Sequence, residues 1–389
     1  RKSIDVRRAE LFWGEGHVVA DARISLPELE VHDAHILGYD LSLAHILAQM
    51  GAAPTPWVDF LGDAEISAEG TLKPLFLQGP FELALANYRV GNGPIKDVGN
   101  GTDVMLHLPH AWATGTLTLE KDHIELDADR VQAVHSSGTA LVTIGFQPHG
   151  PLDIEFDLTR ANLLDFGPLN GARLKGTGRV KGGIHGPFKE ISFNGFGDIR
   201  NFSVVGIPWA DHLVSEIRSP NMKSLEFHQA QGTVGTSRYG GDFAIDFRPP
   251  LSLSTEIVVT SGRISDMMGM FVDLPGFDGD MQGTLALDGP LYHLDGDANI
   301  WLEDIELYGE RFESGTGQSV MNDGIFTLDE LRFERGDQAL VLSGTVGRGW
   351  ALEMALESEN ARIEDLSHVV DRGNLPIEGD LKLVSRINN

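Results

Sequence analysis

The sequence predicts an all-β chain, an elongated array of repeated sheet units with helix confined to short segments. Three observations carry this expectation. A strand with its exit turn occurs three times. Glycine supplies 46 of 389 residues while aromatics are only 8%, a balance that suits many strands joined by tight turns better than packed helices. Apolar and acidic residues alternate along most of the candidate strands.

The repeated segment is Gly150-Pro151-Leu152-Asp153-Ile154-Glu155-Phe156-Asp157-Leu158, running into Ala161-Asn162-Leu163-Leu164-Asp165. It returns as Pro250-Leu251-Ser252-Leu253-Ser254-Thr255-Glu256-Ile257 with Gly262 to Asp266, and as Gly349-Trp350-Ala351-Leu352-Glu353-Met354-Ala355-Leu356 with Ala361 to Asp365. Aligned without gaps, Leu152, Leu251 and Trp350 correspond at steps of 99, as do Ile154, Leu253 and Leu352, and Leu158, Ile257 and Leu356. The terminal aspartates follow at steps of 101 and 99. Gly79-Pro80, Gly186-Pro187 and Gly289-Pro290 mark the same architecture at steps of 107 and 103. A period this long exceeds the roughly 20 to 50 residues of ordinary solenoid repeats, so each unit holds several strands. Units that contact chiefly their neighbours give an elongated chain.

In chain order, residues 1–60 differ from the rest. His17 to Leu26 reads as a strand. Asp40 followed by Leu41, Leu43, Ala44, Ile46, Leu47 and Met50, with Gly51 after them, predicts a capped helix at the end of the sheet. Unit one covers 61–168, with strands over Ala64–Thr71, Phe81–Arg89, Val104–Leu108, Ala113–Glu120, His123–Arg130, Ala140–Phe146 and Leu152–Leu158. Unit two covers 169–275, unit three 276–374, and a further unit starts at 375–389. Short helical turns are expected at Trp209 to Ile217, where Trp209, Leu213 and Ile217 recur every four residues, and near Asp365 to Val370. The first residue is Arg1 rather than Met, and the last residues enter another strand; the sequence reads as part of a longer protein.

Successive strand side chains point to opposite faces, so alternation sorts them. Leu152, Ile154, Phe156 and Leu158 share one face against Asp153, Glu155 and Asp157. Phe243, Ile245 and Phe247 oppose Asp242 and Asp246, and Trp350, Leu352, Met354 and Leu356 oppose Glu353 and Glu357. Leu251, Leu253 and Ile257 continue the apolar side in the second copy, and Leu285 and Leu287 in the strand before Gly289-Pro290. A second sheet, the same sheet folded over, or a bound apolar ligand would each cover such a face, and periodicity does not choose among them.

Composition excludes several function classes. A formal charge of −27 opposes nucleic-acid binding, which needs clustered Lys and Arg to displace counterions, and opposes docking on anionic lipid. Without cysteine there is no thiolate chemistry or disulfide. No apolar run reaches the length of a membrane-spanning helix. Nucleophile-elbow, phosphate-loop and His-Glu-x-x-His patterns are missing, so the sequence points to neither catalysis nor a cofactor. His45, His149, His185 and His228 have no ligand-spaced partners in the sequence. Asp278-Gly279-Asp280, Asp288-Gly289, Asp295-Gly296-Asp297 and Asp323-Gly324 resemble fragments of calcium loops but read as turns, Asp-Gly being the ordinary hairpin signal.

The units read Gly283-x-Leu285-x-Leu287-x-Gly289-Pro290, then alternating segments such as Asn299 to Tyr308, then Asp323 to Phe333 and Leu340 to Val346. With Gly178 to Pro187 as a second copy of the opening, this pattern from about Leu61 onward resembles the AsmA-like proteins of the Gram-negative envelope, and within them the TamB branch. The resemblance implies a periplasmic chain, anchored in the inner membrane through a segment outside this sequence. It implies a sheet folded over into a groove with an apolar interior, a β-taco lined by the apolar-face residues named above. It further implies phospholipid acyl chains as cargo between the inner and outer membranes, and a barrel-assembly partner of the TamA or BamA kind in the outer membrane. The alternatives are an elongated structural or adhesin-like scaffold, or a periplasmic partner that assists outer-membrane barrel protein assembly and secretion.

Overall fold

The computed structural model describes residues 2–13, 16–42, 58–91, 104–146, 151–166, 173–187, 190–204, 206–221, 223–269, 276–291, 293–307, 309–346, 352–359 and 381–386. They form one 22-stranded sheet. Three strands open it: β1 (Lys2–Trp13), β2 (Gly16–Leu26) and β3 (Glu30–Ser42). The strand expected at His17 to Leu26 is therefore present, with a partner on each side.

The helix expected from Asp40 is corrected where it can be seen. Asp40 lies inside β3, and Leu41 pairs with Gly62; residues 43–50 lie outside the described residues. Asp40 sits at φ 51 in a β-bulge between Gly38 and Leu41, and the amide that the bulge frees donates to Asp63 Oδ1 at 2.9 Å. The same capture recurs at Arg8, whose amide donates to Asp21 Oδ1 at 2.8 Å, and at Gln229, whose amide donates to Asp242 Oδ1 at 2.6 Å. Both residues again have positive φ. Part of the acidic face thus serves the backbone: each carboxylate accepts from the amide of a positive-φ residue, which at Asp40 and Arg8 a bulge has freed from the ladder.

Six strands follow in the first repeat: β4 (Val58–Leu72), β5 (Leu75–Gly91), β6 (Val104–Glu120), β7 (His123–Ala133), β8 (Ser137–Gly145) and β9 (Pro151–Asn162). Two strands read separately from the sequence, Val104–Leu108 and Ala113–Glu120, fuse into β6. Pro109 does not break it, because Pro109 falls opposite Asn87 at φ 54, a place where the ladder skips a pair. The second repeat has β10 (Leu174–Pro187), β11 (Ser192–Val204), β12 (Ile207–Ser219), β13 (Ser224–Val234), β14 (Ser237–Asp246) and β15 (Ser252–Arg263). The third has β16 (Phe277–Pro290), β17 (Asp295–Leu307), β18 (Glu310–Asn322), β19 (Ile325–Arg335), β20 (Gln338–Val346) and β21 (Leu352–Glu359), after which β22 (Leu381–Arg386) pairs parallel to β21.

The chain divides into two compact units, Arg1–Gly206 with Glu216–Leu225, and Ile207–Ser215 with Glu226–Asn389. In the first, β1 to β11 each pair antiparallel with their neighbours in the chain. In the second, β14 to β21 do the same. No pairing among the described residues closes the sheet into a barrel.

Trp209 to Ile217 is strand, not helix. A spacing of four is also an even number, so Leu213 and Ile217 share one face of β12, where Leu213, Ser215, Ile217 and Ser219 are buried in alternation with more exposed neighbours. The exit turns of the repeated strand do form short helices: a 3-10 turn over Leu163–Phe166 and α1 over Ile264–Gly269. The equivalent near Asp365 lies outside the described residues.

Pairing also corrects the repeat alignment. Leu152 faces Ile144 and Gly186, and Leu253 faces Ile245 and Gly289. The equivalent of Leu152 is therefore Leu253, at a step of 101, rather than Leu251. Both steps are odd, so the apolar face is unchanged by the correction. The bulge after Leu158 in β9 recurs after Val259 in β15 at the same step. Gly186-Pro187 and Gly289-Pro290 close β10 and β16. Gly79-Pro80 is not their counterpart, since it lies within β5 opposite Leu117 and Thr116.

Candidate functional site on the apolar face

The two faces separate as alternation predicts. In β9 Leu152 and Leu158 are buried and Ile154 and Phe156 half-buried, while Asp153 and Glu155 are exposed. Phe243, Ile245, Phe247, Leu253 and Ile257 are buried in the second unit. Leu251, Leu285, Leu287 and Leu356 are half-buried. Leu352 and Met354 lie in β21, facing Val346 and Gly344, and Trp350 is outside the described residues.

Coverage of this face varies along the strands: β10 and β11 of the first unit bury Val180, Ile199 and Phe202 as fully as the second unit buries its core, and β4 to β8 are less covered. In the second unit, Phe227 stacks on Phe243 with ring centroids 4.2 Å apart, and Phe333 packs against Phe277 and Phe312. Leu302, Ile305 and Phe333 are no more than 2% exposed. In the first, only Phe81, Leu117 and Ala128 are buried at the centre of the cluster over β4 to β8. Around them Leu83, Leu119, Ile124, Leu126 and Val131 remain half-buried. These residues carry accessible apolar surface, and the sequence reading passed over them. Their alternation, Phe81-Leu83 and Ile124-Leu126, is as regular as that of the strands it chose.

The repeated aspartate has a structural task. Asp165 accepts hydrogen bonds from the His135 amide at 2.9 Å and from the His135 ring at 2.8 Å, and Ser136 Oγ accepts from the Asn162 amide at 2.9 Å. One repeat later, Asp266 accepts from the Thr236 amide at 2.8 Å, its hydroxyl at 3.0 Å and Ser237 Oγ at 2.9 Å, and Ser237 Oγ accepts from the Arg263 amide at 2.8 Å. Burial pushes the Asp165 carboxyl up, but the hydrogen bonds of Ser136 and His135 outweigh it and hold it below its ordinary value. Asp266 is lowered by the same balance of burial against Thr236 and Ser237. Each carboxylate ties the exit of one strand to the hairpin turn two strands earlier.

The Asp-Gly segments resolve into distinct roles. Only Asp323-Gly324, both at positive φ, is a two-residue hairpin turn, joining β18 to β19; the Asp323 amide donates to Asp295 Oδ1 at 2.7 Å, and its carboxylate pairs with His293. Asp278 begins a bulge and pairs with Arg263. Burial raises and Arg263 lowers its carboxyl, which settles at about 2.

Among the described residues, two groups place three potential metal-binding atoms within 4.8 Å of one another: Glu120, Asp122 and His123, and Asp153, Glu155 and His185. Both are at the surface, and each ring already has a carboxylate partner, Asp122 at 3.0 Å for His123 and Asp153 at 2.7 Å for His185. The sequence reading gave His185 no partners because they stand on the neighbouring strand, about 30 residues away. His228 similarly lies 3.2 Å from Glu226 and 3.9 Å from Asp242, whereas His45 and His149 are outside the described residues. Comparisons with models of protein families, with characterised proteins and with solved structures find no match.

Proposed function

We propose that this chain is a periplasmic segment of an AsmA- or TamB-like protein that shields phospholipid acyl chains on its apolar sheet face during transport between the inner and outer membranes. The observation that carries this reading is the half-buried apolar surface over β4 to β8, continuous across Leu83, Leu119, Ile124 and Leu126 and backed by an outer face of charged residues. Acyl chains need such a surface and no directed hydrogen bonds. Covering each methylene contributes about 0.8 kcal/mol, on the order of 10 kcal/mol for a chain of roughly sixteen carbons. The role is carriage, not catalysis. An inner-membrane anchor outside this segment and an outer-membrane barrel-assembly partner complete the proposal.

A second reading, an elongated structural scaffold, has an observation of its own: the near-complete burial of Leu302, Ile305 and Phe333 in the second unit. Mass spectrometry of lipids extracted from the purified protein separates the two. The carrier reading expects stoichiometric phospholipid; a lipid-free protein that stays lipid-free after incubation with phospholipid vesicles favours the scaffold.

A further inference from the structure

Among the described residues, β9 to β11 carry a basic island on the outer face. Along β10 and the residue before it, Arg173, Lys175, Arg179 and Lys181 all point outward, and β9 adds Arg160 and β11 Arg200. The facing acids are few: Asp157, which takes Arg179 in a two-pronged ion pair, and Asp198, which stands opposite Arg179 in the ladder. Arg160, Arg179 and Arg200 line a depression of about 690 Å³ with Asp198, His135 and Gly178, so one carboxylate stands among three guanidinium groups. Among the described residues neither Arg160 nor Arg200 has a carboxylate partner.

The scaffold does not require these arginines, as the next repeat demonstrates. Gly176 and Gly279 occupy equivalent bulges at φ 144 and 153. Beyond the bulge, Thr177 pairs with Arg200 and Arg179 with Asp198 in one repeat; Asp280 pairs with Glu303 and Gln282 with Trp301 in the other. Ser261 takes the place of Arg160. At these positions the second corner carries acidic and neutral residues, and Arg263 there is taken up by Asp278 and Asp280, so the unpaired Arg160 and Arg200 answer to something other than folding.

We propose that this depression binds a phosphate ester. Guanidinium groups present planar forks that match phosphate oxygens, and two unpaired forks beside a third suit a doubly charged group. The volume is within the range of small-ligand sites, so it admits the organic part of the ester along with its phosphate. The site lies on the outer face and is independent of what the apolar face carries. A lipid headgroup and a soluble ester share this chemistry.

The test titrates the whole chain with glycerol 3-phosphate, using glycerol as the uncharged control, and sediments it with phosphatidylcholine vesicles with and without phosphatidic acid. Arg160→Gln/Arg200→Gln is expected to weaken glycerol 3-phosphate by about a hundredfold, on the order of tenfold for each charge-assisted contact. Lys121→Gln/Lys223→Gln removes the same charge elsewhere and is expected to leave affinity within about twofold. Thermal melts by circular dichroism confirm that both variants fold. Arginine-dependent sedimentation that also needs phosphatidic acid assigns the ester to a lipid headgroup. Arginine-dependent binding of glycerol 3-phosphate alone assigns it to a soluble molecule. Absence of arginine-dependent binding to either probe, or an equal loss in the lysine variant, overturns the proposal.

Discussion

Asp266→Ala tests the claim that the repeated aspartate holds the fold. The carboxylate receives the Thr236 amide, the Thr236 hydroxyl and the Ser237 hydroxyl. Thr236 is exposed, so its two donors regain water. Ser237 has 0% exposure, so its hydroxyl hydrogen is left without an acceptor. A stranded buried donor costs about 1–3 kcal/mol, and the lost bonds to a charged acceptor add about 1 kcal/mol after rehydration, for a total of about 2–4 kcal/mol. Hydrogen exchange read at the Thr236 and Arg263 amides then accelerates about 30-fold or more, at about 1.4 kcal/mol per factor of ten. Ser237→Ala removes the other half of the clamp, and the double variant costs less than the sum of the singles because the two groups touch. Asp297→Ala, on an exposed position of β17, is the control and stays within about 0.5 kcal/mol. If Asp266→Ala behaves like that control, the clamp is not structural and the recurrence of its aspartate has another cause.

Leu253, 6% exposed, sits against Ile245 and Gly289, so Leu253→Glu buries an unpaired charge and costs several kcal/mol, seen as aggregation or loss of the cooperative melt. Asp157→Lys is no neutral comparison for it, since it breaks the Arg179 pair; Asp297→Lys is. Phe333→Ala, between Phe277 and Phe312, lowers stability by about 3–5 kcal/mol in urea unfolding. The folded-state carboxyls of Asp165, Asp266 and Asp278 titrate below their ordinary value, so their contribution is fully present above that value and is lost as pH falls through the lowered ones, which for Asp278 means down to about 2. Urea midpoints should therefore drop across that window, and Arg263→Gln should flatten the part owed to Asp278.

Much of the sheet was legible because period-two alternation is local. Phe243, Ile245 and Phe247 declare their face without reference to any other strand, and the structure buries all three. What was misread shares a different trait. Trp209, Leu213 and Ile217 fit a helix and a strand equally, since four is a multiple of two, and only pairing with neighbours decides. Asp40 looked like a helix cap because a bulge and a cap ask the same thing of an aspartate, a carboxylate beside a freed amide. The Asp165 and Asp266 clamps, the His185 pairing with Asp153 and the arginine depression all join residues roughly 20 to 40 positions apart. Their geometry is set by strand register, which no single segment encodes. The alignment of Leu152 with Leu251 rather than Leu253 failed for that reason too: two residues of slip leave the apolar pattern intact and change only the partners.

Photo-crosslinking at Leu126 tests the carrier reading most directly. Leu126 is half-buried on the apolar face of β7, between Leu117 and Val142, and Asp127 beside it is exposed on the opposite face. A photoreactive side chain at 126 in cells should yield an adduct with the mass of a phospholipid, and the same group at 127 should not. A folded protein that gives no lipid adduct at 126, or equal adducts at both positions, contradicts the account.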